Sequence, residues 1–165
     1  MAYIFIALGV LFRLIPHAPN FVPIAAMALF GGAYLNKKYA LILPLAIMFI
    51  SDIFLGFHQT MFWVYGSFVI IGLIGMWLQN HKSAKNTVLA SLAGSVIFFV
   101  VTNFGVWLGP WYQHDFAGLV RCFTMAIPFF RNTLLGDLFY TGVFFGGYEL
   151  VKSALKRLSY RELTI

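Results

Sequence analysis

The chain has few residues that could take part in chemistry, and two of them are aspartates within apolar segments. Asp52 and Asp137 are two of only 5 acidic residues among 165. Two neighbouring carboxyl groups can share one proton, as they do in aspartyl hydrolases. Arg13 and Arg131 would oppose this by holding both carboxylates ionised, and Leu134 stands where the G-x-G-D pattern of membrane aspartyl proteases has its first glycine. We therefore predict no catalytic residue and no enzymatic activity, with an intramembrane aspartyl hydrolase as the weakest alternative.

Polar residues gather towards one predicted end of the apolar segments. Asp52 and Asp137 each lie about five or six residues from that boundary, roughly 8 Å at 1.5 Å per residue. An ionised side chain facing lipid costs about 3 kcal/mol or more, so both are expected to face the interior and to balance Arg13 and Arg131. This predicts either a polar pocket open to the outside or a structural ion-pair network. The predicted substrate-binding residues are Arg13, His17, Asp52, Asn103, Trp107, Trp111, Tyr112, Arg131, Asn132 and Asp137.

The aromatic, histidine and cysteine residues near this end each allow a more ordinary interpretation. Trp107, Trp111 and Tyr112 could hold a planar ligand or belong to the aromatic belt common in membrane proteins. The 4 histidines stand singly, without metal-ligand spacing, so neither a metal nor another cofactor is predicted. Cys122 is expected to be a small buried hydrophobic residue, with a thiol or soft-ligand role as the alternative.

The overall composition is that of an integral membrane protein. Hydrophobic residues make up 61% and charged residues 10% of the chain, which carries 19 Phe, 8 Tyr and 4 Trp. A soluble domain is about half apolar and a quarter charged. The 11 Lys and Arg residues lie in short clusters between apolar runs, which predicts a membrane topology signal and no nucleic-acid partner. Residues 1–11 are expected to be a retained first helix, since they lack a basic leader and a cleavage site.

Six apolar segments approach the length needed to cross a bilayer as helices. They are residues 2–15, 20–36, 39–57, 61–79, 86–109 and 131–155. Backbone amides in hydrocarbon must be paired, and no strand-like alternation appears, so helices are required. The predicted fold is an all-α polytopic transmembrane bundle of six helices that forms one domain over residues 1–165. The one long link, residues 110–130, is predicted to contain a re-entrant or interfacial helix.

Three basic clusters follow the even-numbered helices. They are Lys37 and Lys38, then Lys82 and Lys85, then Lys152, Lys156, Arg157 and Arg161. With six spans all three lie on one face of the membrane, which the positive-inside rule makes cytoplasmic. The sequence therefore predicts a multi-pass protein of the inner membrane with both termini in the cytoplasm.

Small residues at helical spacing predict close contacts between helices. Ala25, Ala28 and Gly32 line one face of the second segment, and Gly142 and Gly146 form a small-xxx-small pair in the sixth. Such motifs usually serve internal packing. A docking surface for a membrane partner is the alternative.

Four strings of residues resemble a known family. RLIPHAPNFVPIAAMALFGGAYL, SDIFLGFH, TNFGVWL and AIPFFRNTLLGDLFYTGVFFG are similar to those of small bacterial membrane proteins classed among transport proteins, and the likeness extends from about Arg13 to Gly147. That family is in turn related to the substrate-binding S components of energy-coupling-factor (ECF) vitamin transporters. The resemblance implies six helices, both termini inside and a vitamin site near the outer surface. It also implies a transmembrane coupling protein and ATPases of an ECF module as partners.

These observations favour a membrane transport protein that takes up a small vitamin-like or polar metabolite. Polar groups in the outer half and an apolar inner half would form an outward-facing pocket. A scaffold or channel subunit of a membrane complex is the alternative, although a permanent pore should be polar along its whole length.

Overall fold

The computed structural model describes residues 2–14 and 18–162, and the side chains of residues 5, 9, 10, 13, 14 and 160–162 are excepted. This part of the chain is helical, with no strand. Its elements are α1 (Ala2–Leu14), α2 (Ile24–Tyr34), α3 (Lys37–Ala40), α4 (Ile42–Leu55), α5 (Met61–Leu78), α6 (Ala84–Trp107), α7 (Phe116–Thr141), a π-helical segment (Gly142–Gly146) and α8 (Gly147–Glu162). The predicted all-α class is confirmed.

The short helix α2 lies at the centre of the bundle. It has 11 residues, about 16 Å at 1.5 Å per residue, so a bilayer crossing at this position has to include residues on either side of the helix. Residues 24–33 are all buried, because α1, α4, α5, α6 and α7 pack around them. Gln79, the residue directly after α5, donates from Nε2 to the main-chain oxygens of Gly32 (2.8 Å) and Leu35 (3.0 Å). These bonds satisfy carbonyl groups that the end of a helix leaves unpaired.

Glycines bring α2 and α5 into backbone contact. A Cβ at Gly32 would overlap the main chain of Gly72 and Gly75, and a Cβ at Gly75 would overlap the main-chain oxygen of Leu29. Ala25 and Ala28 are buried on the same helix. The predicted close contact at Gly32 is therefore confirmed, and its partner helix is α5.

The contact between α2 and α5 gives a first prediction. Gly75→Ala should destabilise the protein by about 1–3 kcal/mol, because a methyl group there forces two backbones apart. Gly66→Ala is the matched control, since Gly66 is on the same helix and has no atom within 4 Å of a new Cβ. This control should be neutral or slightly stabilising. Thermal unfolding in detergent measures both, and equal melting temperatures for the two variants would contradict the packing described.

The helix α7 starts fifteen residues earlier than the sequence predicted. It begins at Phe116, where Asp115 accepts a hydrogen bond from the Gly118 main-chain nitrogen at 2.7 Å, and it passes through Pro128 without ending. The predicted re-entrant or interfacial helix within residues 110–130 is therefore wrong, as is a helix start at residue 131. The N-cap at Asp115 explains why α7 begins there, and the helix continues although Pro128 has no main-chain N–H to donate.

The π-helical segment buries two rings and exposes two glycines. Phe144 and Phe145 are buried, with ring centroids 6.0 and 5.4 Å from that of Phe30 on α2. Gly142 and Gly146 face the other way, and no atom lies within 4 Å of a Cβ built on either. The prediction that this pair serves internal packing is wrong, because the two phenylalanines occupy the side that faces the core.

Three helical stretches in the described part are long and apolar enough to cross a membrane. They are Lys37–Leu55, Met61–Leu78 and Ala84–Trp107, with 19, 18 and 24 residues. These stretches indicate a membrane protein.

Basic residues of the three predicted clusters meet at one end of the bundle, which we call the lysine end. Lys82 Nζ lies 4.0 Å from the ring centroid of Tyr34, the last residue of α2, and Lys37 begins α3 just after it. The Tyr34 hydroxyl donates to Glu149 Oε1 at 2.8 Å, and Glu149 Oε2 is 3.9 Å from Lys152 Nζ. Burial lowers the pKa of Lys82, and the nearby Glu149 carboxylate opposes that shift.

Candidate functional site

Six buried polar residues form a line between the antiparallel helices α6 and α7, which we call the polar seam. Its members are Ser91, Ser95 and Thr102 of α6, and Thr133, Asp137 and Thr141 of α7. Residues four apart lie on one face of a helix, so the spacing on α7 directs all three of its members towards α6. Hydrogen bonds between Ser95 and Asp137 and between Thr141 and Ser91 join the two helices.

Asp137 is the single charged member of the polar seam and lies near the middle of the bundle. The Ser95 hydroxyl donates to its Oδ2 at 2.6 Å, and the residue is 4% exposed. Ser95 stands twelve residues before the end of α6 at Trp107, a distance of about 18 Å. The predicted depth of roughly 8 Å is therefore wrong for Asp137, as is an inner half without polar groups. The error follows from the start of α7, which precedes Asp137 by 21 residues and not by six.

A cavity of about 200 Å³ opens beside the polar seam at the end of the bundle opposite the lysine end, and we call it the seam cavity. Its wall is formed by Asn20, Thr60, Phe98, Phe99, Thr102, Asn103, Val106, Ala126, Phe129, Phe130 and Thr133. A smaller cavity of about 20 Å³ lies below it and reaches Asp137. The two share Asn20, Phe98 and Thr133. Asp137 thus forms the floor of a recess whose walls are aromatic with a few polar groups.

Two asparagines supply amide groups to the seam cavity. Asn103 Nδ2 donates to the main-chain oxygen of Phe99 at 2.7 Å, which leaves its carbonyl oxygen as an acceptor. Asn20 has an exposed side chain and a φ of 62°, a left-handed conformation that asparagine adopts more readily than most residues. The predicted binding residue Asn103 therefore lines the cavity, together with Asn20.

An open cleft of about 670 Å³ adjoins the seam cavity, and Val106 lines both. Trp111 and Tyr112 line it with Arg121, Ala117 and Met125. Trp107 lines neither cavity, because its Nε1 donates to the main-chain oxygen of Gln113 at 3.0 Å and so braces the loop that joins the helices. Of the three aromatic residues predicted to bind a ligand, Trp111 and Tyr112 thus line the open cleft, and Trp107 contacts the loop between α6 and α7.

The Cys122 side chain is buried, and its thiol points at the main-chain oxygen of Asn103, 3.4 Å away.

Arg131 does not pair with Asp137. Its side chain is exposed, and the one polar partner of Asp137 in the described part of the chain is Ser95. Six residues on one helix are separated by about 120° around its axis, so the two side chains leave α7 in different directions. The predicted balance between these charges is wrong. The Arg13 side chain and the whole of His17 lie outside the described residues.

Asn132 braces the connection before α2 and does not line the seam cavity. Its Nδ2 donates to the main-chain oxygen of Pro19 at 3.0 Å. We expect Asn132→Ala to lower the free energy of unfolding by about 1 kcal/mol and to leave ligand affinity within about twofold. Thermal unfolding and equilibrium binding on the same sample measure the two effects. A tenfold loss of affinity at unchanged stability would instead place Asn132 in the binding site.

Asp52 is not part of the polar seam and instead contacts Tyr65 of α5. It is 2% exposed on α4, and the Tyr65 hydroxyl of α5 donates to its Oδ2 at 2.6 Å. The prediction that both aspartates face the interior is confirmed by their burial. Asp52 lines neither the seam cavity nor the smaller cavity below it. The two carboxyl groups make no hydrogen bond to each other, since Ser95 is the one such partner of Asp137 among the described residues.

A second recess, which we call the lysine-end groove, opens on the far side of the polar seam. It measures about 460 Å³ and is lined by Lys82, Thr87, Thr141, Gly142, Gly146 and Glu149, among others. Thr141 belongs to both the polar seam and this groove. The two glycines of the π-helical segment leave its wall open, as described above.

Several lining residues were missed by sequence reasoning. Ser91 and Ser95 stand four apart, as do Thr133, Asp137 and Thr141, and this repeated spacing of polar residues was the available signal. The aromatic wall formed by Phe98, Phe99 and Phe130 had no such signal, because phenylalanine is frequent throughout the chain.

The fold and the polar seam define a helical membrane protein with a buried carboxyl group at mid-bundle. The chain matches a family of unknown function, DUF6580, over residues 1–158, and it belongs to that family. No curated protein and no solved structure matches it.

Proposed function

We propose that this protein is a membrane transport protein that binds a small polar or vitamin-like molecule in the seam cavity. In this proposal it crosses the inner membrane six times, has both termini in the cytoplasm, and resembles the S components of ECF transporters. The seam cavity then faces outwards and the lysine end faces the cytoplasm, as the positive-inside rule expects. A transmembrane coupling protein and ATPases are the proposed partners if the resemblance extends to the energy source.

The observation that carries the proposal is that the seam cavity adjoins a smaller cavity, which reaches the buried carboxyl group of Asp137. A ligand site is usually concave and largely apolar, with a few polar groups that fix orientation. The seam cavity has this form, since aromatic rings make its wall and Asn103, Thr102 and Asn20 supply polar atoms. An ionisable residue at mid-membrane is costly and typically marks a substrate or ion pathway. Asp137 meets that description.

The alternatives fit this geometry less well. A permanently open channel needs room for water along its length, whereas the space next to Asp137 narrows to a void too small for a water molecule. An aspartyl hydrolase needs two carboxyl groups close enough to share a proton, whereas Asp52 and Asp137 bind the hydroxyls of Tyr65 and Ser95 on different helices.

A ligand screen on purified variants tests the proposal. The wild-type protein is heated with a library of vitamins and polar metabolites, and compounds that raise its melting temperature go on to equilibrium binding. Asn103→Ala should weaken binding of such a compound by about 5- to 30-fold, because one hydrogen bond to a buried ligand is worth about 1–2 kcal/mol. Folding should be nearly unchanged, since no charge is left unpaired.

Asn80→Ala is the matched control, because Asn80 is exposed in the turn after α5 at the lysine end. It should bind as the wild type does. The proposal fails if no compound binds, or if Asn103→Ala and Asn80→Ala bind with equal affinity.

A further inference from the structure

We propose that Asp137 is a proton-binding site that couples a proton gradient to transport, loaded from the seam cavity and unloaded into the lysine-end groove. This inference deepens the function proposed above and rests on it. It assigns the energy source to a proton gradient in place of the ATPases named above, and this gradient acts through residues of this chain itself. Three observations support it: the hydrogen bonds around Asp137, its position between two recesses, and the lack of other charges around it among the residues that the structure describes.

The hydrogen bonds of Ser95 are satisfied in full when Asp137 carries a proton. Ser95 Oγ lies 2.6 Å from Asp137 Oδ2 and 3.1 Å from the main-chain oxygen of Ser91. A hydroxyl has one hydrogen to donate, so beside a carboxylate it can serve only one of these two acceptors well. A protonated Asp137 can donate to Ser95, which then donates to Ser91. The site therefore has a complete set of hydrogen bonds for the neutral acid and an alternative set for the anion.

Asp137 stands between recesses that open towards opposite ends of the bundle. On one side it lines the cavity that shares three residues with the seam cavity. On the other side it lines a closed void together with Ser91 and Thr141, and Thr141 also lines the lysine-end groove. Asp137 and Thr141 are one helical turn apart, about 6 Å along the axis. One carboxyl group thus lies between the two recesses, beside a void that has no room for water.

The surroundings of Asp137 contain no other titratable group in the described part of the chain. The facing residues are Ala25, Ala26 and Leu29 from α2, Phe68 and Ile71 from α5, and Ala90, Ser91, Gly94, Ser95 and Phe98 from α6. Asn20 and Val22 face it from the connection before α2. A proton bound here is therefore held by one carboxyl group. A metal cation would need several oxygen ligands at once, and no group of three or more His, Cys, Asp and Glu side chains could hold one among the described residues.

In this proposal, the closed void between Asp137 and the lysine-end groove blocks the passage of a proton. It has no room for a water molecule, so a proton on Asp137 cannot pass to the groove while the helices stay in this arrangement. A π-helical segment begins directly after Thr141, and such segments inside α-helices often mark functional sites. A proton from water in the seam cavity binds Oδ2 in one arrangement. When α7 shifts against α6, that proton leaves to water in the groove and the carboxylate is restored.

Infrared spectroscopy of the reconstituted full-length protein tests the proposal without a substrate. A protonated carboxyl group has a C=O stretching band well separated from the bands of carboxylates and backbone amides. The chain has only 5 acidic residues, so a band can be assigned by single substitutions. We expect a band that disappears as the pH rises from about 5 to about 9, the range reached by buried carboxyl groups. Asp137→Asn should remove it, and Asp52→Asn should leave it in place.

Ser95→Ala keeps the carboxyl group and provides a second measurement if Asp137→Asn fails to fold. It should shift the frequency of the same band, because the 2.6 Å hydrogen bond is lost. The proposal is overturned if no pH-dependent band exists, if Asp52→Asn removes it, or if it responds to sodium ions and not to pH. If ligands bind as described above but the band is absent, proton coupling fails and the transport function stands. A titrating band in a protein that binds no ligand would instead refute the transport function.

Discussion

Ala126→Phe should reduce uptake of the transported molecule by about 100-fold or more. Ala126 lies on α7 and forms part of the wall of the seam cavity, so a phenyl ring there takes space that the ligand needs. A loss of this size corresponds to about 2.7 kcal/mol of binding free energy. Ala126 is only partly buried, and the new ring can therefore enter the cavity without overpacking the core. Uptake of the labelled compound into vesicles that contain the purified protein measures the effect.

Ala117→Phe is the matched control for this prediction. It introduces the same ring on the same helix, but Ala117 lines the open cleft that also contains Trp111 and Tyr112. Uptake by this variant should stay within about twofold of the wild type. If instead Ala117→Phe blocks uptake and Ala126→Phe does not, the binding site is the aromatic cleft, and the seam cavity has been assigned the wrong role.

Asp137→Asn should abolish accumulation of substrate against its gradient. If one proton moves with each substrate molecule, a gradient of one pH unit supplies about 1.4 kcal/mol, which supports up to about tenfold accumulation. An amide cannot carry that proton, so the ratio of inside to outside concentration should fall to about one. The substitution keeps the shape of the side chain and an oxygen that can accept from Ser95. The protein is therefore expected to fold.

This second prediction is checked by imposing a pH gradient across reconstituted vesicles and measuring the substrate on both sides. Asp52→Asn serves as the control, because Asp52 is equally buried but lines neither the seam cavity nor the smaller cavity below it. Its accumulation ratio should follow the pH gradient. Accumulation by Asp137→Asn that still follows the gradient would exclude Asp137 as the coupling group.

The sequence predicted the features that depend on local pattern. Long apolar segments with few charges require helices in a membrane, and the described chain is helical. The cost of an exposed charge in lipid predicted that Asp52 and Asp137 are buried, and both are. The small face of α2 predicted a close contact at Gly32, which α5 supplies. Each of these inferences needed only the composition or spacing of residues within one segment.

The partners of the buried charges could not be predicted in the same way. Asp137 was expected to lie within reach of Arg13 or Arg131, yet its polar partner among the described residues is Ser95 on α6. The direction in which a side chain leaves a helix depends on where that helix begins and how it is rotated against its neighbours. The start of α7 at Phe116 changed both. The same limit applies to Gly142 and Gly146. Their spacing shows that one face of the helix carries small residues, but it does not show whether another helix packs against that face.

Native mass spectrometry tests the central claim, that the seam cavity binds a small polar molecule, most directly. Wild-type protein, Ala126→Phe and Ala117→Phe are purified gently from membranes, incubated with the same mixture of vitamins and polar metabolites, and released from detergent in the spectrometer. One bound molecule is expected on the wild type and on Ala117→Phe, and none on Ala126→Phe. A bound molecule that persists on Ala126→Phe, or no bound molecule on the wild type from the whole mixture, would contradict it.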